Sequence, residues 1–161
     1  MPAALLAALC SSAPAFAATQ SVQVNASIVK PLVLTRLQDL DLGTVTLGPG
    51  VWSNATVAIS QAGVLSCANA NVVCTGATQA AQYNIQGTNK QTVNVTAPNV
   101  ILVNQNDSTK TLTLVTDAPS SVILTSSGIP GVNFSIGGSV ALSSTTPAGT
   151  YVGTFNVTVD Y

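Results

Sequence analysis

From position 21 onward, apolar side chains recur at every second residue and almost nowhere at the three-to-four spacing of a helix. A strand turns successive side chains to opposite faces, so this alternation predicts half-buried β-strands. Val22, Val24, Ala26 and Ile28 share one face, and Leu32 and Leu34 keep the same parity beyond Lys30-Pro31. Proline cannot donate to a ladder, so Pro31 is expected to divide this stretch in two. Leu40 and Leu42 lead to Gly43, and Val45 and Leu47 lead to Gly48-Pro49-Gly50, a turn by composition. Ala55, Val57 and Ile59 mark the next strand.

Short alternating runs follow at Tyr83 and Ile85, Val93 and Val95, Ile101 and Val103, Leu112 and Leu114, and Val122 and Leu124. Two more lie at Val132, Phe134 and Ile136 and at Val140 and Leu142, with Gly137-Gly138 read as the turn between them. Strands spaced by roughly 8 to 12 residues with turn signals between them predict a β-sandwich or barrel. The last run, Tyr151, Gly153, Phe155, Val157, Val159 and Tyr161, is the longest and reads as one C-terminal strand. Residues 61–78, with Gly63, Gly76, Cys67 and Cys74, read as a decorated loop. No fixed-period repeat or linker breaks the pattern, so residues 18–161 are expected to form a single domain.

Residues 1–17 are of another kind. An apolar run, Ala3 to Leu9, precedes Ala15-Phe16-Ala17, the small-x-small pattern of a signal-peptidase site. The expectation is a signal peptide with the mature chain starting at Ala18. No Lys or Arg stands before the run, so its charged segment would lie upstream of Met1. The rival readings are a lipoprotein anchored at Cys10, where Leu9 stands in a place that takes Gly, Ala or Ser, and a membrane helix, for which the run is too short. Export leaves Cys67 and Cys74 as an even pair in an oxidising compartment, which predicts a disulfide between them.

The chain has 161 residues, of which 47% are hydrophobic and 6% charged, and its formal net charge is −1. A surface with four Lys and Arg has no basic stripe for phosphate backbones or anionic lipid, so neither nucleic acid nor a membrane is an expected partner of the mature chain. Polarity comes instead from Ser, Thr and Asn. Abundant Val, Leu and Ile argue for a folded core, because disorder needs low hydrophobicity and high charge.

Histidine is absent, which closes Ser-His-Asp and Cys-His catalysis and the usual zinc sites. The carboxylates are all Asp. Asp39 and Asp41 alternate with Leu40 and Leu42, so a strand that buries the leucines turns both carboxylates to solvent. No EF-hand loop surrounds them. The expectation is a protein that is not an enzyme and has no metal or cofactor. Trp52, Tyr83, Tyr151 and Tyr161 could stack on sugar rings, although aromatics at strand positions more often pack in a core or along an edge.

Three stretches together resemble an exported bacterial family, domain-of-unknown-function family 4402, which is similar to spore coat protein U and the chaperone-usher pilins. They are Ala26-Ser27-Ile28-Val29-Lys30-Pro31-Leu32-Val33-Leu34-Thr35, Gln38-Asp39-Leu40-Asp41-Leu42-Gly43-Thr44-Val45, and the ending from Pro147-Ala148-Gly149-Thr150-Tyr151 to Asp160-Tyr161. The resemblance implies an immunoglobulin-like antiparallel β-sandwich. It also implies secretion through the periplasm, in company with a chaperone and an outer-membrane usher, and polymerisation into a cell-surface fibre. In such pilins a neighbour's N-terminal extension fills a missing strand.

The expected function is therefore a pilin-like structural subunit that polymerises with itself. Residues 18–29 would hold the donor strand, presenting Val22, Val24, Ala26 and Ile28. The alternatives are a sandwich complete in itself and, in another class, a secreted carbohydrate-binding adhesin or biofilm-matrix module.

Overall fold

The structure, a computed structural model, describes residues 17–161. Those residues form strands without helices. In chain order the first six are β1 (Val33–Gln38), β2 (Thr44–Leu47), β3 (Ala55–Ile59), β4 (Leu65–Ser66), β5 (Val72–Thr75) and β6 (Ala81–Gln86). Next come β7 (Thr92–Thr96), β8 (Val100–Asn104), β9 (Thr111–Asp117) and β10 (Ser121–Ile123). The last three are β11 (Val132–Leu142), β12 (Tyr151–Val152) and β13 (Thr158–Asp160). The expected signal peptide and Cys10 lie outside the described residues, apart from Ala17.

Every strand pairing is antiparallel. The main sheet has eight strands along the path β1-β6-β11-β9-β8-β12, with β3 on β11 and β4 on β3, and it curls into a half-barrel. A three-stranded sheet, β10-β7-β13, and a two-stranded sheet, β2-β5, accompany it.

The hub is β11. Its first half pairs with β6, and its second half pairs with β3 and β9. Phe134 and Ile136 of its first half pack with Tyr83, Ile85, Val93, Val95 and Leu124 in one core cluster. Val140 and Leu142 of its second half pack with Ala55, Val57, Val72, Val100 and Leu114 in another. Burying a Val, Leu, Ile or Phe contributes about 1.5–3 kcal/mol, so one strand feeds both reservoirs of stability.

Gly137-Gly138, expected as a turn, lies instead within this strand, at the point where its partners change. A Cβ on Gly137 would collide with the carbonyl oxygen of Ile59. These glycines therefore serve the close approach of backbones at a sheet corner, which is the other meaning of glycine inside a strand pattern.

The C-terminal run departs from expectation in the opposite sense. It breaks into β12, on the main sheet, and β13, on the three-stranded sheet, while residues 153–157 between them pair with nothing. The first alternating run differs too: residues 22–28 form no strand, and regular structure begins only at Val33, after Pro31. The stretch expected as a loop, 61–78, holds β4 and β5. Cys67 and Cys74 are disulfide-bonded there, with their Cα atoms 6.2 Å apart. The bond fastens β5, and with it the two-stranded sheet, to the end of β4.

Candidate functional site

A clasp and an open strand edge lie at the first core cluster, and an unpartnered apolar segment leads into the clasp. Val22, Val24 and Ile28 are 84%, 85% and 91% exposed, and Ala26 is exposed as well. Among the described residues, no hydrogen bond ties positions 17–29 to the domain. The first attachment is Lys30. Its N–H donates to Thr88 Oγ1 at 2.6 Å, and its carbonyl accepts the Tyr161 hydroxyl at 2.6 Å. The same hydroxyl accepts the Thr88 N–H at 2.9 Å. Gly87 makes room for this: a Cβ there would lie 2.5 Å from the Tyr161 oxygen and 2.7 Å from Leu32 Cδ2. Tyr161 thus fastens the end of the C-terminal run to the start of β1.

The open edge can be read from hydrogen-bond parity. Val95 donates its N–H to Ser120, on the β10 side of β7. Backbone groups alternate between the two edges of a strand, so Asn94 and Thr96 face β13 and bond with Asp160 and Thr158, their register partners. Val159, opposite Val95, then turns its N–H and C=O to the free edge. Phe155 and Val157 share its parity and lie in the unpaired stretch.

Their side chains point the other way in energetic terms. Phe155, Val157 and Val159 are half-buried against the first core cluster, as are Leu32, Leu34 and Leu40. No pairing joins β1 to β13, although both border this core and the clasp holds their ends together. The structure therefore brings Tyr161, Phe155, Val157 and Val159 to one edge. It leaves Val22, Val24, Ala26 and Ile28 outside, and Tyr151 on β12 with its hydroxyl donating to Pro147 O at 2.8 Å. Lys30 and Thr88 are the residues that sequence reasoning missed. A backbone carbonyl and a loop threonine carry no signal in a single sequence.

The aromatics do not gather into a sugar platform. Tyr83 is buried and stacks on Phe134 with ring centroids 5.6 Å apart. Burial raises its phenol pKa, with Arg36 opposing and Asp39 adding to the rise. Trp52 packs against the second core and donates Nε1–H to Gly48 O at 3.1 Å. A separate cleft of about 410 Å³ is lined by Gln38, Gln61, Thr78, Gln79, Gln82 and Ser135 among others, without an aromatic ring.

Asp39 and Asp41 are both exposed, with Leu40 and Leu42 turned inward. Asp39 pairs with Arg36 at 2.7 Å, and Asp41 accepts the Gly43 N–H at 2.8 Å. Among the described residues no three His, Cys, Asp or Glu side chains gather as a metal site would require, and no helix is long and apolar enough to cross a membrane.

Fold and edge together define the class: an all-antiparallel β domain with an unpartnered apolar extension and an open C-terminal edge. The family model of the domain of unknown function DUF4402 matches residues 32–161, and the chain belongs to that family. Comparison with characterised proteins and with solved structures gives no match.

Proposed function

We propose that this protein is a pilin-like structural subunit, exported through the periplasm, that polymerises into a cell-surface fibre by strand addition, with residues 21–29 as the donor. In this reading the domain is of the immunoglobulin-like sandwich type with one strand supplied by a neighbour, and a periplasmic chaperone and outer-membrane usher are its partners in transit. The observation that carries the proposal is the row Val22, Val24, Ala26 and Ile28, exposed and paired with nothing among the described residues. An exposed apolar strand is an aggregation liability unless a partner covers it.

Strand addition supplies main-chain hydrogen bonds for affinity and pockets for alternate side chains for register. Fully burying Val22, Val24 and Ile28 would contribute about 1.5–3 kcal/mol each, before the segment's ordering entropy is subtracted. The test is Val24→Asp. In a donor strand it places an unpaired carboxylate in an apolar groove, a penalty that abolishes polymer while each subunit stays folded. Filaments of the variant in negative-stain electron microscopy would sink the proposal, as would a wild-type protein that stays monomeric at every concentration tried.

The second reading, a carbohydrate-binding adhesin or matrix module, is favoured by the glutamine-lined cleft. Neutral amides both donate and accept, which suits hydroxyl-rich ligands. Glycan-array binding lost on Gln82→Ala would support it.

A further inference from the structure

We infer that the glutamine-lined cleft binds an uncharged glycan through Gln38, Gln79, Gln82 and Ser135, and that a bulge in β1 sets Gln38 in place for it. This rests on the carbohydrate-binding reading and adds what that reading leaves open: the class of sugar, the side chains that hold it and why they are free to do so.

The outer face of the main sheet is the floor of the cleft. Gln82 of β6 stands opposite Gln38 of β1 on one side and opposite Ser135 of β11 on the other, so the three side chains form one row across three strands. Arg36 is opposite Tyr83, so regular pairing would bring Leu37 opposite Gln82. The register slips between Arg36 and Gln38, and the amide takes the place of the leucine. Bulges re-aim side chains in this way beside binding sites. The walls are the β3-β4 turn, with Gln61, Ala62 and Gly63, and residues 78–80, fixed by the backbone bridge between Gln79 and Asp41. Gln61 donates Nε2–H to Asp117 Oδ1 at 2.8 Å, and Gln38 donates Nε2–H to Ala80 O at 3.2 Å. Both amides are anchored, and their carbonyl oxygens accept no bond among the described residues.

The same sheet face supplies a contrast. Farther along β6, Asn84 donates to Asn133 Oδ1 at 2.6 Å and to Pro130 O at 3.0 Å, while Gln86 donates to Asn84 Oδ1 at 3.4 Å. Those amides satisfy one another. At the cleft, no hydrogen bond from the described residues reaches the side chains of Gln79, Gln82 or Ser135. Neighbouring free donors and acceptors match vicinal hydroxyls, which also donate and accept.

Charge and shape select the ligand. No charged side chain lines the cleft, and the carboxylate that Gln61 holds, Asp117, is negative. A phosphate, sulfate or uronate would find no counter-charge there. Peptides dock along strand edges and seat side chains in pockets, whereas this site lies on a sheet face and its apolar lining is alanine and glycine. The volume of about 410 Å³ falls in the range of roughly 300–1,000 Å³ for small-ligand sites, and suits a short oligosaccharide. Without an aromatic ring to stack on the sugar, binding rests on hydrogen bonds that replace those of water, so each site is weak. A fibre that repeats the site in every subunit gains by avidity.

The experiment is saturation-transfer NMR on the full-length exported protein, which tolerates weak binding and any state of assembly. The probes are mannopentaose, maltopentaose and cellopentaose, all uncharged, and an anionic oligogalacturonate. The expected result is transfer to at least one uncharged probe and none to the oligogalacturonate. Gln82→Ala, and Gln38→Leu, which returns a leucine to the place opposite Gln82, should each raise the dissociation constant about fivefold. Asn133→Ala lies among the amides that pair with one another and should bind as the wild type does. Transfer to the oligogalacturonate alone overturns the uncharged class while leaving sugar binding in place. Binding of an uncharged probe that survives Gln82→Ala, or that Asn133→Ala weakens equally, takes the sugar away from the free amides and overturns the inference. Unchanged binding by Gln38→Leu refutes the part given to the bulge. No transfer to any probe overturns both the inference and the carbohydrate-binding reading.

Discussion

Two runs of equal length and the same period-two pattern, residues 132–142 and 151–161, end in opposite circumstances. The first becomes β11, continuous and partnered along its length, with Phe134, Ile136, Val140 and Leu142 buried. The second is held only near its two ends, and its apolar residues stop at half burial. Alternation therefore states what a segment is able to do, whereas burial depends on whether a partner exists within the chain. In β11 the partners β6, β3 and β9 are all present. In the C-terminal run no strand lies on the side where Val159 turns its backbone, and residues 21–29 pair with no strand either.

The largest effect that separates the two runs is truncation at matched positions. Ile136 is fully buried, so Ile136→Ala should destabilise the subunit by about 2–5 kcal/mol, the range for emptying a packed core site. Val157 is only half-buried, so Val157→Ala should cost about 1 kcal/mol or less in the monomer. Urea unfolding of monomer decides between them. An equal loss at both sites would mean that the C-terminal run is already closed, and the comparison would fail.

Much of this was legible in sequence, because alternation is a local signal. The strands of β3, β6, β7, β8 and β9 lie where their apolar pairs predict them. The cysteine pair is bonded as export chemistry suggests. Gly137-Gly138 misled because a turn and a close backbone approach favour the same residue, and only the position of the Ile59 carbonyl separates the two. The break at residues 153–157 was hidden for a related reason. Phe155 and Val157 alternate as they would in a paired strand, and absence of a neighbour leaves no mark on the residues that lack it. Lys30 joins the site through its carbonyl, which every residue possesses.

Next in size is the disulfide, which concerns a region held by covalent closure rather than by partners on both edges. The β2-β5 sheet has two strands, and a pair of strands alone is marginal in water. Cys67 and Cys74 close a short loop, worth about 2–3 kcal/mol through the denatured state. The double variant Cys67→Ser with Cys74→Ser should lower stability by that amount and loosen β5 first, seen as faster amide exchange at Val73 and Thr75. Exchange that quickens first in β11 would show that the small sheet is integral to the core.

The smallest effect lies in the hairpin between β8 and β9, where order is local and no distant partner is needed. The Asp107 carboxylate accepts both the N–H of Thr109, at 3.0 Å, and its hydroxyl, at 2.7 Å. These bonds favour the charged form, and together with Lys110 they hold the carboxyl below its ordinary value of 3.8 against slight desolvation. A depressed carboxylate pKa contributes stability that is present above the unfolded value and lost as pH falls through the folded one. Loss of this turn should therefore begin near pH 3.8 and complete below it. The group is fully exposed, so solvent screening keeps the contribution to overall stability small. Thr109→Ala removes the hydroxyl donor and should return the Asp107 titration, followed by carboxyl carbon NMR, toward 3.8, with neutral-pH unfolding nearly unchanged. The same variant should leave residues 153–157 as open as before, because the hairpin closes on itself while the C-terminal edge has no strand beside it. An unshifted Asp107 titration would remove the hydroxyl from that account.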